Sequence, residues 1–356
     1  GLQRYPRHPG IQRNYANQLR EINSSYAIEL YISAIRSALA QEDGAITAAK
    51  CLDDLIDLLR KKELFSWAFA LIKDALSHQR PSALMLMNLL LLLDRGDVAI
   101  EVQNLVISAT TQYLHGASLL EAVTLDFSLA THYLASTDHQ RSLEYFESAF
   151  RRIECTSFIP ESDQSKLQEL VDSNSWNFGC ACLAVQDFSR GWKLFEHGLR
   201  TPADGQQRWQ RALVKPFSAA ELPLWRGERL PSQRLLLLEE QAIGDAMMFL
   251  TLVPRLLEET SHIGIYLTPR LEAIYQRSFA NEIEKNLISI HTKKDLLEGR
   301  LTANKFDHQI PMGSICQHRF ERVESYAPRV PMLIANGDRS NQFRNDYLSV
   351  QQTPKT

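Results

Sequence analysis

The sequence predicts a chain that is mainly α and then α/β: a helical solenoid to about residue 200, followed by a parallel, doubly wound sheet. Three observations carry that reading. From Ile11 to Arg200, apolar residues recur at i, i+3, i+4 and i+7 with almost no strand signal. At 235–238 a run of leucines ends in Glu239, Glu240 and Gln241, turns at Ile243, Gly244 and Asp245, and resumes with helical spacing. A buried parallel strand hands over to a helix in that way. Beyond it, short β-rich runs alternate with helical ones, the pattern of parallel crossovers.

The helical spacing places helices at 11–22, 25–40, 45–60, 63–78, 82–94, 97–113, 117–135, 139–153, 163–185 and 187–199. Breakers separate them at 41–44, 80–81, 95–97 and 136–138. Connectors this short imply antiparallel helix pairs stacked side by side. The pairing period is about 34 to 40 residues, that of helix-turn-helix repeats. Small residues fall where paired helices must approach closely: Ala16 with Ala27, Ala68 with Ala75, and Ala181, Ala184 and Gly191 in the last pair. Tyr31, Trp67, Phe69, Tyr133, Phe146, Trp176 and Trp192 either fill the space between stacked helices or line a concave groove for a partner.

A Gly/Pro/Gln-rich passage at 201–207 and the turn-rich stretch 222–231 lead into the sheet. Strands are expected at 234–238, 263–267, 287–291 and 306–311, with helices at 244–260, 269–279 and 314–320. The domains expected are therefore a helical repeat region over 1–200, a linker over 201–232, an α/β lobe over 233–335 and a polar tail over 336–356.

Composition narrows the function classes. The hydrophobic share of 44% and charged share of 23% are those of a soluble globular protein. A net charge of −3 gives no basic footprint for nucleic acid or anionic lipid. The longest apolar stretch, 83–93, contains Asn88 and is too short to span a bilayer. Its reading is a core helix, with no membrane span and no secretory leader expected. The five cysteines are scattered, and the Cys180/Cys182 pair has no second pair to complete a zinc site. Buried thiols in a reducing, cytoplasmic compartment are the expectation. The chain opens on Gly1 without an initiator Met, so a fragment is expected.

In open α/β sheets ligands bind at the carboxyl ends of the strands, which directs attention to 239–245. A glycine such as Gly244 allows positive φ and close backbone approach, and the N–H groups opening the next helix receive anions. Asp245 has two readings. It caps that helix, or it accepts a proton from a hydroxyl nucleophile. His262, His308 and His318 read as loop or surface histidines, with His308 the one to watch because it follows Asp307 near a strand end. Arg319, Arg322 and Arg329 face solvent or a phosphate.

Several blocks resemble known families. Asn14-Tyr-Ala-Asn-Gln-Leu19 followed by Tyr26-Ala-Ile-Glu-Leu-Tyr-Ile-Ser-Ala-Ile35 resembles a tetratricopeptide repeat, as does the stretch from Asn177 to Trp192. Asp187-Phe-Ser-Arg-Gly-Trp-Lys-Leu-Phe-Glu196, Pro223-Leu-Trp-Arg-Gly-Glu228 and the 235–249 strand–turn–helix resemble, in that order, bacterial tetratricopeptide-repeat (TPR) proteins with a GT-B glycosyltransferase half. Phe306-Asp-His-Gln-Ile-Pro-Met-Gly-Ser314 and Val330-Pro-Met-Leu333 look like later markers of the same lobe. The strand–turn–helix is also similar to the opening of heptosyltransferase-like enzymes, whose turn aspartate is the proposed general base. That position is Asp245.

The resemblance implies a TPR-like α-solenoid followed by a Rossmann-like lobe, the N-terminal half of a GT-B fold. It implies transfer of sugar from a nucleotide sugar to a protein or glycan acceptor presented by the repeats. Glu239, Glu240, Gln241, Gly244 and His308 would serve the acceptor side, with no metal and no cofactor beyond the donor sugar. Ala242 departs from the family, which usually has glycine there. The second, donor-holding lobe would begin near Asn341, so the chain is expected to be inactive alone. The competing expectation is a non-catalytic interaction scaffold whose α/β part is a degenerate remnant.

Overall fold

The computed structural model describes residues 4–41, 44–64, 81–93, 98, 100–199, 211, 215–326 and 332–351. The chain divides into two units, Gly1–Val185 and Gln186–Thr356.

The first unit is a succession of helices: α1 (Pro9–Leu19), α2 (Ser24–Leu39), α3 (Ala45–Lys61), α4 (Ala83–Leu93), α5 (Ile100–Leu114), α6 (Leu119–Ala135), α7 (His139–Cys155) and α8 (Glu161–Ala184). Their starts are set chemically. Pro9 opens α1 with a φ already suited to helix. The Asn23 side chain accepts from the Tyr26 N–H at the start of α2, and Asp138 does the same for Arg141 in α7. Ser118 and Glu121 form a reciprocal capping box on α6. The predicted helix 63–78, with Trp67, Phe69, Ala68 and Ala75, falls almost wholly outside the described residues.

Each helix packs on the next described one, and α6 also packs on both α4 and α8. Neighbour-on-neighbour stacking follows from short connectors, because a helix with little chain to spare buries its apolar face on the one beside it. Tyr31, Leu55, Leu89, Val106, Leu129 and Tyr133 share one buried cluster. Tyr31 and Phe146 are completely buried, so these aromatic rings fill space between helices. Ala16, Ala27 and Ala181 have no exposed surface, whereas Ala184 lies exposed at the end of α8. Among the described residues no helix is long and apolar enough to cross a membrane.

The second unit begins with α9 (Phe188–Phe195), capped by Asp187. Sequence periodicity groups this helix with the repeats. In the structure it packs on α15 (Cys316–Arg319), and its Trp192 Nε1–H donates to Tyr326 Oη at 2.7 Å. Four strands follow: β1 (Leu230–Leu238), β2 (Thr260–Tyr266), β3 (Ile288–His291) and β4 (His308–Pro311). They form one parallel sheet in the order β3-β2-β1-β4. Leu235, Leu236, Leu237 and Leu238 are all fully buried in the second strand from one edge, which accounts for an apolar run without alternation.

Between the strands lie α10 (Ile243–Leu250), α11 (Val253–Leu256), α12 (Pro269–Ser278), α13 (Ala280–Glu284) and α14 (Lys293–Leu297). The predicted helix 244–260 is thus two helices that end at Leu256, and β2 starts at Thr260, the last residue assigned to that helix. Pro254 gives the reason: it has no N–H for the carbonyl one turn earlier, so the chain re-enters helix at Val253 with proline in the first turn. The stretch before β1 runs alongside β4. Leu224 bridges Gln309, and the Gln309 side chain donates to the carbonyls of Phe217 and Leu222, covering a sheet edge. Within the polar tail, Gly337–Gln351 forms α16, exposed from Gly337 through Leu348.

One buried carboxyl in the first unit makes stability depend on pH. Asp53 is 8% exposed, hydrogen-bonded to Ser82 Oγ, and pushed up by burial to about 6. A raised carboxyl favours the folded state while protonated, so its contribution is complete below about pH 4 and lost as pH rises through about 6. A rise to about 6 corresponds to about 3 kcal/mol. Urea unfolding of Asp53→Asn at pH 4 and pH 8 should therefore show a smaller loss of stability with rising pH than the parent protein shows.

Candidate functional site

The order β3-β2-β1-β4 means that the chain leaves β1 to one side and later returns to its other side. The switch point lies between β1 and β4, and the crevice at their carboxyl ends is where such sheets take ligands. The residues after β1, 239–245, and those after β4, 312–314, border it.

A buried guanidinium occupies this crevice. Arg211, with 1% exposure, donates Nε–H and Nη2–H to the two carboxylate oxygens of Glu240 at 2.8 and 2.6 Å. Nη2 also donates to Ser314 Oγ at 3.0 Å, and Nη1 donates to Glu196 Oε1 at 2.7 Å and to the Phe195 carbonyl at 3.3 Å. The guanidinium lies over the Phe195 ring, 4.4 Å from its centroid. Every N–H of the guanidinium therefore has an acceptor, which is what a charge so far from water requires. Burial pushes the Glu240 carboxyl up while Arg211 pulls against it. Burial also opposes the charge on Arg211, but Glu240 and Glu196 outweigh it, so the guanidinium stays protonated. Gly313 belongs to the same cluster: a Cβ there would come within 2.6 Å of Glu240 Oε1 and 3.1 Å of Arg211 Nη2.

The residues singled out by sequence separate into three groups. Glu240 turns inward and is used up in this ion network. Glu239 stays half-buried at the edge, its N–H still pairing with the Tyr266 carbonyl and its Oε2 accepting the Thr268 N–H. Burial raises its carboxyl above the usual range. Gln241 takes the positive φ of the turn, 59°, the role expected of Gly244. Gly244 is exposed, shows no left-handed φ, and has nothing within 4 Å of where a Cβ would stand. The Asp245 carboxylate reaches back to accept the Ala242 N–H at 3.1 Å, so it caps α10 from inside the first turn while staying partly exposed.

His308 does not join them. It opens β4 opposite Leu235, three positions before the strand end that pairs with Leu238, or about 10 Å from the carboxyl edge. His262 bonds the Asn286 carbonyl and Ser289 Oγ. His318 packs edge-on to Trp225, and burial lowers its imidazole below the ordinary value. Arg319 neither faces open solvent nor stands ready for a phosphate: it pairs with Glu259 at 2.8 Å and lies over Trp225 at 4.9 Å. Arg329 is outside the described residues. No group of His, Cys, Asp and Glu suited to a metal ion occurs among the described residues.

Arg211, Glu196, Gly313 and Ser314 are the members that sequence reasoning missed. Arg211 lies in the expected linker, where no periodicity marks a residue as buried. The doubled carboxylate at the end of an apolar strand was the one available signal that a buried cation exists. No known protein-family model matches this chain, and no curated protein matches it.

Removing one partner of a buried pair costs more than removing both, because the survivor is left charged and dry. Arg211→Met should destabilise the second unit by about 3–5 kcal/mol. Adding Glu240→Leu should return part of that loss. Guanidinium-chloride melts of the single and double variants measure it, and a double variant no more stable than the single would refute the pairing.

Proposed function

We propose that the chain is the repeat region and acceptor-side lobe of a GT-B glycosyltransferase, with Asp245 as general base. The observation that carries this reading is the turn after β1. It places a partly exposed carboxylate beside a glycine with open space around it, at the carboxyl end of a strand flanking the switch point. Nothing in the fold's own packing calls for glycine at 244, and an incoming ligand would have use for that space. In the proposed reaction an acceptor hydroxyl loses its proton to Asp245 and attacks the anomeric carbon of a nucleotide sugar as the nucleotide leaves. Glu239 flanks the acceptor on the same edge. The first unit, read as a TPR-like solenoid, presents the protein or glycan to be modified.

A specific observation favours the second reading, an interaction scaffold without catalysis. The crevice between β1 and β4 holds the protein's own Arg211 on Glu240, and Asp245 already serves as a helix cap.

Sugar transfer from a panel of nucleotide sugars, assayed on the product of the whole reading frame, separates the two. Asparagine retains an oxygen that accepts the Ala242 N–H, so Asp245→Asn should fold normally. Under the transferase reading it lowers turnover by about 10²–10⁴-fold. Undiminished transfer by Asp245→Asn reduces Asp245 to a cap. Absence of transfer and of nucleotide-sugar binding leaves the scaffold.

A further inference from the structure

One face of the sheet, away from the 239–245 turn, carries an arrangement that the transferase reading does not use. In parallel register Gly264 of β2 pairs with Ser289 of β3, and Tyr266 with His291. Alternation puts His262 on the face of Gly264, and His291 on the face of Ser289. Gly264 leaves room there for the Phe306 ring, whose atoms would lie 2.3 Å from a Cβ at that position. That ring stands 6.0 Å from the His262 ring and 5.8 Å from the His291 ring. Both imidazoles are thereby held around one hydroxyl: Ser289 Oγ is 2.8 Å from His262 Nε2 and 2.7 Å from His291 Nε2.

The protons in this chain can be assigned. His262 Nδ1 lies 2.9 Å from the Asn286 carbonyl oxygen, which only accepts, so Nδ1 carries the hydrogen. With Nδ1–H spent on that carbonyl, Nε2 is the acceptor for the Ser289 O–H. Ser289 Oγ in turn accepts from His291 Nε2–H. Burial holds the His291 imidazole down at about 4, with nearby Lys305 adding to the effect and Asp295 opposing it, so this ring is a neutral single donor at pH 7. A hydroxyl aimed at an imidazole, itself oriented by a third group, is the geometry of an activated nucleophile.

These side chains line a cleft of about 490 Å³ that also presents Lys305, Phe306 and Arg234. Small-ligand pockets run from about 300 to 1,000 Å³. Arg234 is committed to Asp307 at 3.0 Å. Lys305 Nζ donates to the Arg300 carbonyl at 2.5 Å but pairs with no carboxylate among the described residues, so its charge is the one offered to a ligand, with Phe306 as the apolar wall.

We propose that Ser289 and His262 form a nucleophile–base dyad that takes an acyl group from small carboxylic esters, those with an apolar body and an anionic end fitting best. Ser289 Oγ bonds to the ester carbonyl carbon while its proton passes to His262 Nε2 and the carbonyl electron pair moves onto oxygen. The His291 N–H, released from Oγ, is positioned to meet that oxyanion. Collapse breaks the bond to the alcohol oxygen, which takes the proton from His262. Water, deprotonated by the same imidazole, then bonds to the acyl carbon; the bond to Ser289 Oγ breaks, Oγ takes the proton back from His262, and the carboxylic acid leaves.

The test treats the full chain with a fluorophosphonate probe and maps the adduct by peptide mass spectrometry, alongside p-nitrophenyl acetate and its anionic succinate analogue. The expected results are an adduct on Ser289 and a burst of p-nitrophenolate, both absent in Ser289→Ala. In His262→Gln the burst should slow by about 10²–10⁴-fold, with an unchanged circular-dichroism spectrum. An unlabelled wild-type chain, a label on another residue, or labelling of Ser289 at full rate in His262→Gln overturns the proposal. Mapping on the wild-type chain decides even where a variant fails to fold.

Discussion

The constraint on which the second unit depends is the burial of one positive charge. A guanidinium cut off from water must find an acceptor for each N–H, and its cost is offset only when the geometry is complete. The acceptors of Arg211 come from the end of α9 and the turn after it (Phe195, Glu196), the end of β1 (Glu240) and the segment after β4 (Ser314). Three elements far apart in sequence are thereby fixed to one point. Ser314 Oγ closes the circuit by donating to Glu196 Oε2 at 2.9 Å. The absence of a side chain at Gly313 follows from the same crowding. So does the place of α9 in the second unit: Trp192 and Phe195 both pack edge-on to Phe249 of α10, an apolar shelf beside the charge.

Neighbouring carboxylates at the end of β1 acquire different chemistry from strand alternation alone. Glu240 points into the crevice and is neutralised by Arg211. Glu239 points the other way, where its carboxylate is tied to the Thr268 N–H at the end of β2. The left-handed Gln241 then turns the chain, and Asp245 closes the turn onto Ala242. The loop is thus pinned at both ends by carboxylate-to-backbone bonds. A ligand approaching this edge meets Glu239, Asp245 and the first N–H groups of α10, and it does not meet Glu240.

How much of this was legible in the sequence depended on whether a residue's role is local. The four strands were legible because buried parallel strands need apolar runs, and 235–238 could be little else. The described helices of the first unit were legible because periodicity, and breakers such as the 136–138 stretch, act within a turn. The break at Pro254 had a local signal, the missing N–H, that the helical reading of 244–260 did not use. The site was less legible, because its members are defined by pairing across the sheet. Nothing near Arg211 says that it is buried, and nothing near His308 says which end of β4 it occupies until the register with Leu235 is fixed. The positive φ fell on Gln241 because the turn needed it three residues before the glycine that sequence reasoning chose.

The two candidate sites differ in what the fold had to give up to make them. At the carboxyl edge, parallel strands end and helix N-termini begin, so open backbone donors arise from topology, and only a small residue such as Gly244 is needed to leave them reachable. On the face with Ser289, topology supplies nothing, because a sheet face is ordinarily covered by apolar side chains. There the neighbouring positions hold Leu236, Leu238 and Tyr266 against Leu301 and Phe306, an ordinary core. The polar chain from Asn286 through His262 and Ser289 to His291 lies beside that core, with every bond in it 2.9 Å or shorter. Apolar residues at these positions would pack against Phe306 without any need for hydrogen-bond partners. A role for the hydroxyl beyond packing accounts for a polar chain where an apolar one would serve stability equally well.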